Sequence, residues 1–317
     1  MSVKLGTLDI SAFKVGSADC KVYLGETLIY SGDTPTPPTP TPSYSGQYLT
    51  FVATESGTFK LSGNSINYSL DSGNTWTELA SDTDSPTVTS GSKILWKASG
   101  LTPTSSIGIG RFSSTASFTV EGNAMSLLYG DNFSGVTDLT GYDDAFKNLF
   151  SGCTTLTSAE NLSLPATTLA IECYYFMFRN CTSLTTAPSL PATTLAEKCY
   201  YLMFMNCTSL TTAPELSATI LAEKCYYSMF NGCTSLTTAP SLLATTLASG
   251  CYQSMFRDCT SLNSITCLAT DISALNCTSG WVRNVSPNGT FTKAASMTSW
   301  TSGNDGIPSG WSVQDAT

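Results

Sequence analysis

Hydrophobic and polar positions alternate over short runs from Tyr48 to Gly122: YLTFVA, GTFKLS, INYSL, TWTELA, KILWKAS and SFTVEG, separated by Gly, Ser, Asn and Asp. A period of two bounded by turn-forming residues predicts strands with one buried face. Residues 45–125 are therefore expected to form an all-β, sandwich-like domain. Residues 1–32 show the same alternation in miniature (VKLGTLDI, KVYLGETLIY). They predict a small β module too short to bury a stable core alone, which needs a second copy or a docking site.

Beyond residue 145 the pattern acquires a long period. CYYFMFRNCTSLTTAPSLPATTLAEK (173–198) is followed by CYYLMFMNCTSLTTAPELSATILAEK (199–224), CYYSMFNGCTSLTTAPSLLATTLASG (225–250) and CYQSMFRDCTSLNSITCLATDISALN (251–276). A degenerate copy two residues longer, AFKNLFSGCTTLTSAENLSLPATTLAIE, spans 145–172. A unit this small cannot bury its own apolar face, so neighbours must stack. Leu184, Leu210, Leu236 and Leu262 should form one core ladder. Phe178, Phe204, Phe230 and Phe256 should form a second, and Met177, Met203, Met229 and Met255 a third. The Thr-rich LTTAP segment predicts a strand closed by Pro188, Pro214 or Pro240, because proline cannot donate to a ladder. The AEKCYYLMF stretch reads as a short helix or helical turn.

Between these blocks lies GDTPTPPTPTPSYSG, whose alternating Pro and Thr over 33–44 predict a semi-rigid polyproline II linker. The repeats and an N-terminal cap (126–150) make a solenoid over 126–280. Residues 281–317 lack the period but carry Trp281, Trp300 and Trp311, three of the five tryptophans, and are expected to cap the last rung. The fold class is mainly β with short helices: a small N-terminal β module, a β-sandwich-like domain, and a repeat solenoid with a C-terminal cap.

Composition narrows the function. Charged residues make up 12% of the chain and the net charge is −9, which argues against sequence-independent nucleic-acid binding. No apolar run is long enough to insert into a membrane. Histidine is absent, removing the commonest general base and metal ligand. No cofactor is expected. If Met1 is the natural start, the N-terminus lacks the apolar core of a secretory signal.

Ten of the twelve cysteines fall into two series, Cys153, Cys181, Cys207, Cys233, Cys259 and Cys173, Cys199, Cys225, Cys251, Cys277; Cys20 and Cys267 stand outside. Sulfurs on adjacent rungs could pair as disulfides. The other reading is a ladder of buried thiols, since free cysteine is among the most buried residue types. Five members per series cannot pair completely along one ladder. No CxxC pair or histidine completes a zinc site.

The unit pattern C-T-S-L-T-T-x-x-x-L-P-x-T-x-L followed by M-F-x-x-C resembles the BspA-like, Treponema-type leucine-rich repeats, whose unit reads L-T-S-I-x-I-P…I-G-x-x-A-F-x-G-C. The resemblance covers 145–276. It departs in having about three more residues per unit and Met-Phe in place of Ala-Phe. The Lys21-Val22-Tyr23-Leu24-Gly25 motif with Leu28-Ile29-Tyr30 resembles small β modules of phage virion and tail proteins. The flanking segments are similar to those of BspA-like proteins from gut Bacteroides and their crAss-like phages. The resemblance implies a non-enzymatic virion appendage, of the tail- or head-fibre kind. Residues 1–32 would then dock onto other virion proteins. The repeats would bind a host cell-surface protein or glycan, with homo-oligomerisation possible. The alternative it implies is a bacterial cell-surface adhesin.

Two further features bear on function. Ser69-Leu70-Asp71-Ser72-Gly73-Asn74-Thr75-Trp76 fits the Asp-box pattern S-x-D-x-G-x-T-W known from sialidase propellers. It occurs once, and arginine stands only at positions 111, 179, 257 and 283. A hairpin turn with Asp71 bonding turn amides is therefore expected, not a glycosidase site. Within the repeats, positions that drift should be the surface. These are Phe176/Leu202/Ser228/Ser254, Arg179/Met205/Asn231/Arg257, Asn180/Asn206/Gly232/Asp258 and Ser189/Glu215/Ser241. Phe176, Arg179, Leu202, Met205, Asn231 and Arg257 are the candidate binding residues, because apolar side chains beside arginine suit a contact patch. The Thr-rich face (Thr185, Thr211, Thr237) is the next candidate.

Overall fold

The structure, a computed structural model, describes residues 46–99 and 108–316, and before them the backbone of four short strands. The linker over 33–44 and Cys20 lie outside the described residues. The chain divides into two compact units, Met1–Ser43 and Tyr44–Thr317. In the first, β1 (Val3–Leu5) pairs antiparallel with β2 (Leu8–Ile10), and β3 (Lys21–Leu24) with β4 (Thr27–Ser31). The second unit is mainly β. Among the described residues it holds one short α-helix, α1 (Ser126–Tyr129).

Six strands form the larger sheet: β5 (Leu49–Ala53), β7 (Ile66–Ser69), β8 (Thr77–Leu79), β9 (Lys93–Lys97), β11 (Phe118–Asn123) and β12 (Leu156–Ser163). Their order is β12-β11-β5-β9-β7-β8, antiparallel except for β11 with β12. A second sheet pairs β6 (Phe59–Ser62) with β10 (Arg111–Ser114). The two sheets meet through aromatic rings: Phe51 of β5 lies 5.3 Å from Phe59 of β6 and 4.8 Å from Phe112 of β10. The alternation in YLTFVA and KILWKAS produces this, since Leu49, Phe51, Ile94 and Trp96 all turn inward.

The boundary read at 125/126 falls inside one continuous core. β12, built from the degenerate first repeat, pairs in parallel with β11, and buried side chains run unbroken from Leu49 to Trp311. The repeats stack on this edge. The Leu, Phe and Met ladders are fully buried, and the Phe rings stack 5.3 to 5.8 Å apart.

The helix expected at AEKCYYLMF is replaced by a ribbon of consecutive β-turns, and the hydrogen bonds show why. Alternate amides close turns: Tyr175 N–H donates to Glu172 O, Met177 to Tyr174 O and Arg179 to Phe176 O. The amides between them cross to the next rung: Tyr174 N–H reaches Cys199 O, Phe176 reaches Tyr201 O and Phe178 reaches Met203 O, at 2.9–3.0 Å. Every fourth residue is left-handed, as at Glu172, Phe176 and Asn180 (φ 53°, 60° and 60°). The repeat is therefore four residues, not the 3.6 of a helix. In Cys-Tyr-Tyr-Phe-Met-Phe-Arg-Asn-Cys, two residues point in and two out, in turn. The LTTAP strands are likewise shorter than expected: in the middle rungs they contract to single parallel bridges such as Thr186 with Thr212.

At the C-terminal end, β13 (Ser264–Cys267), β14 (Thr290–Lys293) and β15 (Ser312–Asp315) form a parallel sheet that prolongs the stack. Trp281 is fully buried and stacks 5.6 Å from Trp300, with Phe291 edge-on to both. The Trp281 and Trp311 indole N–H groups each donate to a backbone carbonyl, of Gly306 and Ser286. Bulky rings thus cover the last rung, two of them with their donors satisfied, while the buried Trp300 indole N–H has no hydrogen-bond partner among the described residues.

Candidate functional site

The turn ribbon gathers all six candidate residues onto one face, each half-buried. Phe176 and Leu202 share one row and are successive along the stack. Arg179, Met205, Asn231 and Arg257 form the other row, one per rung, spanning roughly 14 Å at the ordinary strand spacing. The rows are fixed by rung-crossing bonds, Asn180 N–H to Met205 O, Asn206 to Asn231 O and Gly232 to Arg257 O. Within the first complete unit, the Arg179 guanidinium lies over the Phe176 ring at 4.8 Å. Arg257 instead turns to its neighbour Asp258 at 3.4 Å.

The backbone accounts for part of the drift. Positions Asn180, Asn206, Gly232 and Asp258 are all left-handed (φ 60° to 76°), and these residue types tolerate that conformation best. Their variation needs no ligand. Asn206 Nδ2 also donates to Asn180 Oδ1 at 2.9 Å, tying the rungs. Phe176 and Leu202 are left-handed too (φ 60° and 52°), where the later rungs have Ser228 and Ser254. A bulky side chain there carries a conformational cost of about 1–2 kcal/mol, so the backbone does not select it.

Drift alone misses the most ordered part of the face. Tyr175, Tyr201 and Tyr227 stack ring on ring at 4.8 and 4.5 Å, with planes within 7°, yet are only half-buried. Tyrosine recurs here in three units, where each ring packs on the next, and gives way to Gln253 in the fourth. The two-in, two-out alternation was the signal that could have placed them outside. Burial pushes the Tyr201 hydroxyl up to about 12, with the neighbouring tyrosines adding to the shift. Lys147 lies over the Tyr175 ring at 4.8 Å.

Charges border the ladder. Lys147 pairs with Asp144 and Glu172, at 2.8 and 2.9 Å; Lys198 pairs with Glu172 and Glu197, at 3.4 and 2.9 Å. Burial would raise the Glu172 carboxyl, but the two ammonium groups outweigh it and hold it below the usual range. Hydrogen bonding to Glu197 raises Lys198. The ribbon therefore presents aromatic edges flanked by a network of three carboxylates and two ammonium groups.

Beside the Thr-rich face, a groove of ≈ 460 Å³ is lined by Thr186 and Thr212, the neighbours of Thr185 and Thr211, with Pro188, Pro191, Pro214, Glu160 and Glu215. Among the described residues, eleven cysteines are free and buried. Four thiols, of Cys181, Cys207, Cys233 and Cys259, each donate to a phenylalanine carbonyl of the preceding rung at 3.0–3.1 Å. No group of three or more cysteine and acidic residues is placed to hold a metal among the described residues. No helix among them is long and apolar enough to cross a membrane.

The Asp-box segment forms the expected turn. Asp71 Oδ1 accepts from the Thr75 amide and Ser69 Oγ, and Oδ2 from Thr75 Oγ1. These bonds, led by the Thr75 hydroxyl, lower the carboxyl to about 2. The carboxylate is thus held in place by its own turn.

Fold and face together define a mainly-β protein that ends in a stack of repeats with an aromatic, half-exposed ribbon. Comparison with protein-family models, with curated proteins and with solved structures finds no match to this chain.

Proposed function

We propose that this chain is a non-enzymatic display protein: a phage virion appendage whose first 32 residues dock onto the particle and whose BspA-like leucine-rich-repeat solenoid binds a host-surface protein or glycan. The observation that carries the reading is the turn ribbon, where Phe176, Arg179, Leu202 and Met205 sit beside a stacked tyrosine ladder on a rigid scaffold. Aromatic and arginine side chains that cluster on a preorganised face are typical anchors of protein contacts. Phe176 and Leu202 stand at a left-handed position that the ribbon imposes on every rung, Ser228 and Ser254 included, so the backbone does not require their bulk. The free, buried thiols suit assembly in a reducing cytoplasm, which favours the virion over the second reading, a bacterial surface adhesin.

The test is attachment to host cells by a folded triple variant, Phe176→Ser with Arg179→Ser and Met205→Ser. Loss of attachment with an unchanged melting curve supports the ribbon as the binding face. Full attachment moves the site to the Thr-rich groove. Immunogold labelling of intact particles tests the virion assignment, and an unlabelled particle rules it out.

A further inference from the structure

A second feature lies away from the ribbon, on the outer face of the six-stranded sheet. Leu49, Phe51 and Ala53 of β5 enter the aromatic core, so Thr50 between them faces the other way. Strand register sets Glu121 of β11 and Leu95 of β9 opposite Thr50, on either side of it. Lys93, two residues before Leu95, shares that face. With Gln47 and Tyr48 these side chains line a cavity of ≈ 320 Å³.

The unexpected group is Glu121. It is 8% exposed, on a strand whose other residues are mostly apolar and buried. Its Oε1 is met by Lys93 Nζ at 2.6 Å, but the Lys93 side chain is itself 54% exposed. Removing a carboxylate from water is costly, and one ammonium on a flexible, half-solvated stem offsets that only in part. An apolar residue would serve the sheet at least as well. The aromatic wall, by contrast, is firmly held. Tyr48 packs 4.8 Å from Trp76 and 5.0 Å from Phe133, and its hydroxyl donates to Asp131 at 2.6 Å. The Asp-box turn holds Trp76 in place, so the turn supports this wall.

We propose that this cavity is a binding site for a neutral hexopyranose, with the Glu121–Lys93 pair bonding adjacent ring hydroxyls and Tyr48 lining one side. Three observations select that class. The ion pair is neutral overall, so the cavity has no surplus charge to hold an ionic ligand. Its wall combines an acceptor-only carboxylate, a donor-only ammonium, an amide at Gln47 and the Thr50 hydroxyl, which donates to Tyr48 O and keeps lone pairs to accept. A sugar's hydroxyls each donate and accept, and match such a set better than any singly functional ligand. The volume sits at the low end for small-molecule sites, enough for one ring and not for a chain. The site is independent of the ribbon, and neither assignment needs the other.

The experiment is an amide NMR titration of the full chain with methyl α-D-glucopyranoside, methyl β-D-galactopyranoside and methyl α-D-mannopyranoside, with inorganic phosphate as the charged control. At least one glycoside should saturate shifts at Thr50, Lys93 and Glu121, with Kd on the order of millimolar. Glu121→Gln keeps the side-chain size and should weaken binding about tenfold or more, since a charge-assisted bond is lost. Lys93→Met, at an exposed position, should do the same and serves if Glu121→Gln fails to fold. Ile220→Ser, at an exposed position outside both sites, should bind as wild type does. The proposal is overturned if no glycoside saturates, if phosphate binds and the sugars do not, or if both cavity variants bind with wild-type affinity.

Discussion

The ring of Tyr175 lies 4.8 Å from that of Tyr201 with 1° between their planes, although the two residues are a whole repeat apart and neither is fully buried. Side chains at equivalent positions on adjacent rungs are brought to van der Waals distance by the rung-crossing bonds, so an exposed ring finds half its packing on its own copy. Tyr201, with a neighbour on each side, depends on two such contacts. Tyr201→Ser should therefore destabilise the unit by about 1–3 kcal/mol, given about 0.5–1.5 kcal/mol per aromatic pair. A chemical denaturation midpoint equal to wild type would show that the ladder adds nothing to stability.

Phe204 tests the inner ladder. It is fully buried, with a parallel ring on each side at 5.3 and 5.6 Å. Phe204→Ala should cost about 3–5 kcal/mol, as large-to-small changes in closed cores do. The cavity cannot collapse, because the rungs above and below are fixed by hydrogen bonds. The melting temperature is the readout.

Leu202 should behave oppositely. Its backbone is left-handed (φ 52°) and its side chain only half-buried. Leu202→Asn replaces it with a residue suited to that conformation and should leave stability unchanged or raise it by up to about 1 kcal/mol. If the ribbon binds a partner, the same change should weaken attachment. A clear loss of thermal stability would instead make Leu202 a packing residue.

Alkaline pH should unfold the stack. Burial holds the Tyr201 hydroxyl at about 12 against an ordinary 10.0, and the Cys199 thiol at about 12 against 9.0. Buried Tyr200 and Cys207 are raised well above their ordinary values by the same cause. In each case the folded state holds the proton more tightly than the unfolded chain. The associated stability is whole below about pH 9 and falls as pH rises towards 12. Denaturation midpoints should hold up to about pH 9 and decline above it, and the tyrosinate absorbance of the buried tyrosines, Tyr200 among them, should appear only together with unfolding. Tyrosines that ionise freely while the fold persists would contradict their burial.

Reduction should leave the fold untouched. Eleven described cysteines are free and buried, and four of their thiols bond to backbone carbonyls rather than to one another. Intact-mass measurement after alkylation under native conditions should show these thiols unlabelled, with full labelling in denaturant. Equal melting curves with and without reductant are expected. Native protein carrying several disulfides would refute this.

Stacking, its period and its core are legible in the order of residues alone. A constant interval between like residues admits few arrangements other than superposed rungs, and Leu184, Phe178 and Met177 are buried with all their copies. Legible too are the strands of 45–125, where alternation of period two is unambiguous, and the Asp71 turn, whose donors all lie within six residues of it. Tertiary structure decided the rest. Cys-Tyr-Tyr-Phe-Met-Phe reads as a helix because helical and four-residue periods differ little over two turns. Only the neighbouring rung, by accepting every second amide of the ribbon, makes the turn conformation the better one. The same bonds set Tyr175, Tyr201 and Tyr227 on the outer side of the ribbon, half-buried. Glu121, Thr50 and Lys93 come from three strands far apart in the chain, and no local pattern could join them. Their meeting depends on which strands pair and in what register, and that is fixed by the whole core rather than by any segment.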